Sequence, residues 1–178
     1  MTTPLSPLTP QQLLQKLQDL GIQAETKTHA PVFTVEESKA LRGDLPGAHT
    51  KNLFLRNKKG QMWLLVCLED RKIDIKTLGK ALDAGKLSFG SSDRLMEFLG
   101  VEPGSVSAFA AINDRNTEVK VVLDQQMMQQ SPINCHPLIN SMTTALSPEN
   151  LVLFLESINH SPELLDMDKL NESAQDAG

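Results

Sequence analysis

The sequence predicts a mixed α/β fold, of the α+β rather than the doubly wound kind. Three observations predict it. Helical and strand periodicities are interleaved irregularly, a hairpin sits near the middle, and several Gly- and Asn-containing turns break up the second half. With 178 residues and 40% hydrophobic content, the chain is long enough for one domain with a substantial core.

Thr9-Pro10 opens the first helix: Thr caps it and Pro occupies the first helical position. Leu13, Leu14, Leu17 and Leu20 follow at helical spacing, and Gly21 ends the run. Residues 22–29 alternate loosely and read as a strand. Thr34-Val35-Glu36-Glu37 is a capping box for a short helix reaching Leu41, followed by a Gly/Pro loop over 42–48. The hairpin comes next: KNLFLR over 51–56, a turn over 57–60, and a return strand over 61–68. The unbroken run MWLLVCL places that return strand inside the sheet, buried on both faces. Asp74 caps an amphipathic helix carrying Ile75, Leu78 and Leu82. Residues 87–89 form a short strand, and Ser91 or Ser92 caps a helix with Leu95, Phe98 and Leu99 that Gly100 stops. A loop is expected from Glu102 through Ala111 and a turn over 113–116. EVKVVLD over 118–124 is a β-branched strand. Residues 134–140 and 142–146 read as two more extended pieces, and Ser147-Pro148-Glu149 caps a last helix with Leu151, Phe154, Leu155 and Ile158 on one face. Apolar content falls after Pro162. One domain over 1–162 and an acidic, mobile tail over 163–178 are expected.

Charge divides the chain the same way. The formal total is −5, but residues 163–178 hold five acids and one base. Residues 51–86 hold nine bases and four acids, a local +5. The acidic total therefore does not argue against a phosphate-bearing partner, because the excess acid lies outside the basic middle. Six Phe, one Trp and no Tyr disfavour a broad base-stacking platform. No helix-turn-helix with a basic second helix occurs, which argues against a DNA-binding protein. The apolar run over 62–68 is too short to cross a bilayer, and the N-terminus lacks a signal-peptide pattern, so a cytoplasmic protein is expected. Cys67 and Cys135 are far apart and read as reduced thiols; a disulfide stays open. The four histidines show no metal spacing, and no phosphate-cradling glycine motif occurs, so neither metal nor cofactor is expected.

Three features could carry chemistry. Lys51 opens an apolar strand after a loop, as a mobile point charge that could grip a phosphate or carboxylate, or as a solvated strand-end lysine. His136 is followed by Pro137 and flanked by Asn134 and Asn140. It could exchange a hydrogen bond with a substrate, or be a buried histidine satisfied by backbone. Gly104 allows a close backbone approach in the 102–111 loop, or simply turns it. No GxSxG elbow marks a nucleophile. Cys67 lies in an apolar strand, and Cys135 beside His136 points to the opposite face, so neither makes a Cys–His dyad.

The ordered strings PVFTVEE (31–37), GAHTKNLFLR (47–56), LSFG (87–90), LGVEPGSV (99–106), HPLIN (136–140) with Thr143-Thr144, and LSPENL (146–151) resemble the freestanding prolyl-tRNA editing proteins. These form part of the YbaK/aminoacyl-tRNA-synthetase-associated domain family. The resemblance spans about residues 9–160. It implies a mixed, barrel-like sheet with flanking helices and hydrolysis of the ester of a mischarged tRNA, alanyl-tRNA for proline in the branch most resembled. It places the family's essential lysine on Lys51 and its HPL histidine on His136, as catalytic residues. Asn52, Gly104, Ser107, Ala108 and Asn140 are the implied substrate-binding residues. The family's glycine-x-x-x-proline loop falls on 104–108, but Ala108 stands where proline is usual and Ala110 where glycine is common. Asn57 replaces an aspartate often seen before the lysine-rich turn. The family is thought to use a terminal-ribose hydroxyl to help activate water, which suits a chain without a triad. Editing of cysteine, serine or 2-aminobutyrate, or a non-catalytic adaptor that binds tRNA or a synthetase, are the alternatives. The expected partners are the acceptor end of the mischarged tRNA and, for delivery, prolyl-tRNA synthetase or an elongation factor.

Overall fold

The computed structural model describes residues 6–31, 34–42 and 45–176. Val32 and Phe33 of the PVFTVEE string, and part of the 42–48 loop, lie outside the described residues. Among the described residues eight strands form one mixed sheet: β1 (Ala24–Thr28), β2 (Ala48–Arg56), β3 (Met62–Leu68), β4 (Ser88–Phe89), β5 (Val119–Asp124), β6 (Ile133–Cys135), β7 (Met142–Leu146) and β8 (Glu163–Leu165). The order is β1-β7-β6-β2-β3-β5-β8, with β4 paired to β2. The β2–β3 hairpin is antiparallel, whereas β2–β6, β3–β5 and β5–β8 are parallel. This is the mixed α/β fold the sequence predicts.

Strand alternation sends residues to two cores. On one face Phe54, Leu64, Val66, Val121 and Leu123 pack with Leu13 and Leu17 of α1 (Pro10–Asp19). Leu95 and Leu99 of α4 (Ser92–Leu99) and Leu151, Phe154 and Leu155 of α5 (Pro148–Ser157) join the same core. On the other face Leu55, Trp63, Leu65 and Val122 pack under Leu78 of α3 (Ile75–Ala81) and Met167 of α6 (Met167–Asp176). β3 is therefore buried on both sides, as its unbroken apolar run predicts.

The predicted caps form. Thr9 and Gln12 make a reciprocal capping box, and Asp74, Ser91 and Ser147 each accept from a backbone amide of their helix. Thr34 Oγ1 accepts from the Glu37 amide at 3.0 Å, ahead of α2 (Val35–Arg42). Gly100 ends α4 in the left-handed conformation, φ +63°.

Three expectations are corrected. The 102–111 loop ends in a 3-10 helix over Ala108–Asn113, capped by the Ser107 hydroxyl. The four residues Ala108 to Ala111 are buried, so apolar packing over a short, glycine-free run coils what turn statistics leave irregular. The extended segment 134–140 stops at Cys135, where the chain turns at Pro137-Leu138. The acidic segment is no detached tail: β8 adds to β5, Met167 is fully buried, and Leu165 and Leu170 pack on the second core. Two or three apolar residues among many acids complete a face already formed by the sheet, a contribution that local hydropathy does not register.

Gly47 sets the start of β2. Its φ is +97°, and a Cβ there would lie 2.1 Å from the Pro132 carbonyl oxygen, which accepts from the Ala48 amide at 2.8 Å. Gly47→Ala is expected to cost about 2–3 kcal/mol through strain and loss of that contact. A lower urea midpoint at unchanged slope would register it.

Candidate active site

The β2–β6 ladder sets Lys51 and His136 at corresponding positions just past its last pair. It pairs Ala48 with Ile133 and His49 with Asn134, and Lys51 and His136 each follow two residues beyond that last pair. The join is pinned sideways. Thr50 Oγ1 donates to the Asn134 carbonyl at 2.9 Å, and Asn134 Nδ2 donates to the Pro46 and Ala48 carbonyls at 3.1 and 3.0 Å.

His136 is held by its backbone and by its ring. Its carbonyl accepts from the Leu138 amide at 2.9 Å and the Ser107 hydroxyl at 2.5 Å. Leu138 carries φ +68°, a conformation a branched residue adopts only when its surroundings impose it. The ring nitrogen Nδ1 lies 2.8 Å from the Met142 carbonyl oxygen, which can only accept, so Nδ1 carries the proton. In the neutral ring Nε2 is then an acceptor, and it has no hydrogen-bond partner among the described residues. Burial pushes the imidazole below its ordinary 6.5, the Met142 carbonyl opposes that, and His29 adds to it. The His29 ring is centred 6.3 Å away; its Nδ1 lies 2.8 Å from the Ala30 carbonyl and its Nε2 2.8 Å from Thr143 Oγ1.

Lys51 is half-buried on β2, and its Nζ donates to the Arg71 carbonyl. That partner is neutral, so the contact fixes the ammonium without cancelling its charge. Asn52 is the next residue in the strand and leaves on the opposite face, beside Val66 of the larger core. Its Oδ1 is buried and has no hydrogen-bond partner, the single such side-chain atom among the described residues. A buried amide oxygen without a donor is uncommon in a folded protein.

The other predicted binding residues divide. Ser107 is fully buried and joined to His136, and Ala108 follows it, also fully buried. Asn140 is buried in the turn between His136 and Met142. Gly104 is exposed, with φ +92°, in a turn closed by the Ser105 amide on the Glu102 carbonyl, and among the described residues no hydrogen bond joins it to Lys51 or His136. Sequence reasoning missed His29, Thr143, the Met142 carbonyl and Arg71. No local pattern marks them; Thr143 alone lay inside a recognised string.

Neither thiol is a ready nucleophile. Burial pushes Cys67 and Cys135 up to about 12, partly countered at Cys67 by Lys51 and at Cys135 by Thr50. Among the described residues no group of three or more His, Cys, Asp or Glu could hold a metal, and no helix is long and apolar enough to cross a membrane.

The eight-stranded mixed sheet with helices on both faces is an editing-domain class of fold. Solved structures share it. One described as a candidate trans-editing enzyme for prolyl-tRNA synthetase superimposes with a TM-score of 0.69 at 18% identity, covering 91% of this chain and 97% of its own. A family model for the aminoacyl-tRNA editing domain matches residues 29–154, and the chain belongs to that family. Among named relatives, the prolyl-tRNA editing protein ProX of Acetoanaerobium sticklandii is 42% identical over 142 residues, 79% of this chain and 87% of its own. The prolyl-tRNA synthetase associated domain-containing protein 1 of Mus musculus is 36% identical over 162 residues, 88% of this chain and 95% of its own.

Proposed function

We propose that this chain is a trans-editing aminoacyl-tRNA deacylase acting on mischarged tRNA for proline, with alanyl-tRNA as its first substrate. The observation that supports this best is the pairing at the ladder's end of an ammonium docked on a neutral carbonyl with a tautomer-locked imidazole. The likeness to a relative named for prolyl-tRNA editing gives the substrate class.

The substrate is an activated ester, so the site needs to place it and stabilise charge rather than supply a nucleophile. Thiols at about 12 fit that division of labour. Water adds to the ester carbonyl, the bond to the ribose oxygen breaks, and a free amino acid and a ribose hydroxyl result. Lys51 offers positive charge to a phosphate or to ribose oxygens of the terminal adenosine. His136 Nε2 accepts from the α-ammonium of the aminoacyl group or from the attacking water. Discrimination against proline is by size: a pocket that admits alanine excludes the larger ring. The acceptor end of tRNA is the proposed partner; delivery by prolyl-tRNA synthetase or an elongation factor is a proposal of the same kind.

The test is release of labelled amino acid from alanyl-, cysteinyl-, seryl-, 2-aminobutyryl- and prolyl-tRNA for proline. Alanine released fastest and proline spared supports the reading. Another small residue released fastest reassigns the specificity to the 104–108 segment. Binding without release makes the chain an adaptor.

The histidine adds a pH prediction. Its folded-state value lies below 6.5, so the neutral ring survives to lower pH than a free imidazole does. Single-turnover deacylation, corrected for spontaneous hydrolysis, is expected to lose activity on acidification at a lower pH than the titration of a free imidazole would give. His136→Ala is expected to remove that acid limb together with most of the rate.

A further inference from the structure

One cluster of charged side chains lies outside the chemistry above, yet it touches the proposed catalytic lysine. Arg71 supplies the carbonyl on which Lys51 Nζ rests. The Arg71 side chain is 11% exposed and is gripped on several sides. Nε lies 2.9 Å from Asp124 Oδ2, Nη2 lies 3.3 Å from Asp124 Oδ1 and 3.2 Å from Gln126 Oε1, and Nη1 lies 2.6 Å from Asp168 Oδ1. Asp124 is fully buried at the end of β5, and Asp168 lies in the first turn of α6. The C-terminal segment thus reaches Lys51 through a single residue.

Two physical consequences follow. A lysine side chain is flexible, and a carbonyl anchored by its own residue's planar fork gives the ammonium one resting place. The fork also engages both nearby carboxylates. Asp124 and Lys51 lie close enough for each to act electrostatically on Cys67, in opposite directions. Without the guanidinium, Asp124 would compete for Lys51 and neutralise it.

We propose that Arg71 is a positioning residue for Lys51, and that Asp124 and Asp168 form the clamp that holds it, so that the acidic C-terminal helix belongs to the active site's support. This rests on the deacylase reading only for its activity readout. A second readout is independent of tRNA: modification of Lys51 by an amine-reactive ester, quantified by mass spectrometry against the other lysines of the full chain.

The variants are Asp168→Ala, Asp168→Glu and Arg71→Lys. Single-turnover deacylation is expected to fall about threefold in Asp168→Ala and about thirtyfold in Arg71→Lys, short of the ~hundredfold that an ångström of displacement can cost. Affinity for uncharged tRNA and the melting temperature of Asp168→Ala should barely move, and Asp168→Glu should restore most of the rate. Lys51 labelling should rise severalfold while other lysines are unchanged. Asp168 is exposed (62% of its side chain), so its variants report even if Arg71→Lys does not fold. Unchanged rate and unchanged Lys51 labelling in Asp168→Ala, with Lys51→Ala inactive, would overturn the clamp and leave the deacylase reading standing. Full activity in Lys51→Ala would instead overturn the role of Lys51, and the labelling would still decide whether the clamp positions it.

Discussion

Lys51→Ala is expected to lower single-turnover hydrolysis of alanyl-tRNA for proline about 10²–10³-fold, the usual cost of removing one charge aimed at a developing oxyanion or its phosphate neighbour. The fold should be indifferent. Lys51 is half-buried, its ammonium donates to the Arg71 carbonyl, and it sits opposite the buried Cys67. A melting temperature within a few degrees of the parent separates a chemical from a structural loss. Lys51→Arg should recover little, because a planar fork cannot occupy the resting place of a point charge on the Arg71 carbonyl. An undiminished rate in Lys51→Ala would remove the lysine from the mechanism.

Asp124→Ala carries the largest expected stability loss. This carboxylate is fully buried and accepts from the Leu68, Gln126 and Met127 amides at 3.1, 3.0 and 3.3 Å, as well as from Arg71. Its removal takes the buried carboxylate from a largely buried guanidinium, which keeps Asp168 and Gln126, and leaves three amides without their acceptor. A cost of about 3–5 kcal/mol is expected. In a chain of this size that is a fall of about 10–15 °C in melting temperature. The double variant with Arg71→Met should recover part of the loss, since removing both charges is cheaper than stranding one. Recovery stays incomplete because the amides remain without acceptors. Equal stability of single and double variants would show that the amides, not the ion pair, carry the effect.

Much of the fold is legible in the chain. Thr9, Thr34, Asp74, Ser91 and Ser147 cap the helices that their spacing announces, because a cap is a local bond three residues long. The central position of β3 follows from seven consecutive apolar residues. The 3-10 helix at Ala108 and the turn at Pro137-Leu138 are not legible. Each is imposed by partners far along the chain, as the bond from Ser107 Oγ to the His136 carbonyl shows. The C-terminal segment misleads for a related reason. Its acids dominate any local average, while Met167 and Asp168 act through β3, β5 and Arg71.

The candidate site divides along the same line. Lys51 and His136 stand out in the sequence because each sits within a recognisable string, so the residues proposed for the chemistry could be named from it. Which atom of His136 is free depends on the Met142 carbonyl, and where the Lys51 ammonium rests depends on Arg71. The sequence by itself determined a mixed α/β editing domain, its caps, its central strand and the two residues proposed for its chemistry. Those properties arise from short-range bonds, hydropathic period and motif. Tertiary structure alone decided the protonated ring nitrogen, the orphan oxygen of Asn52, the arginine clamp and the incorporation of the acidic segment. Each of these is a contact between groups that only the closed sheet brings within hydrogen-bond range.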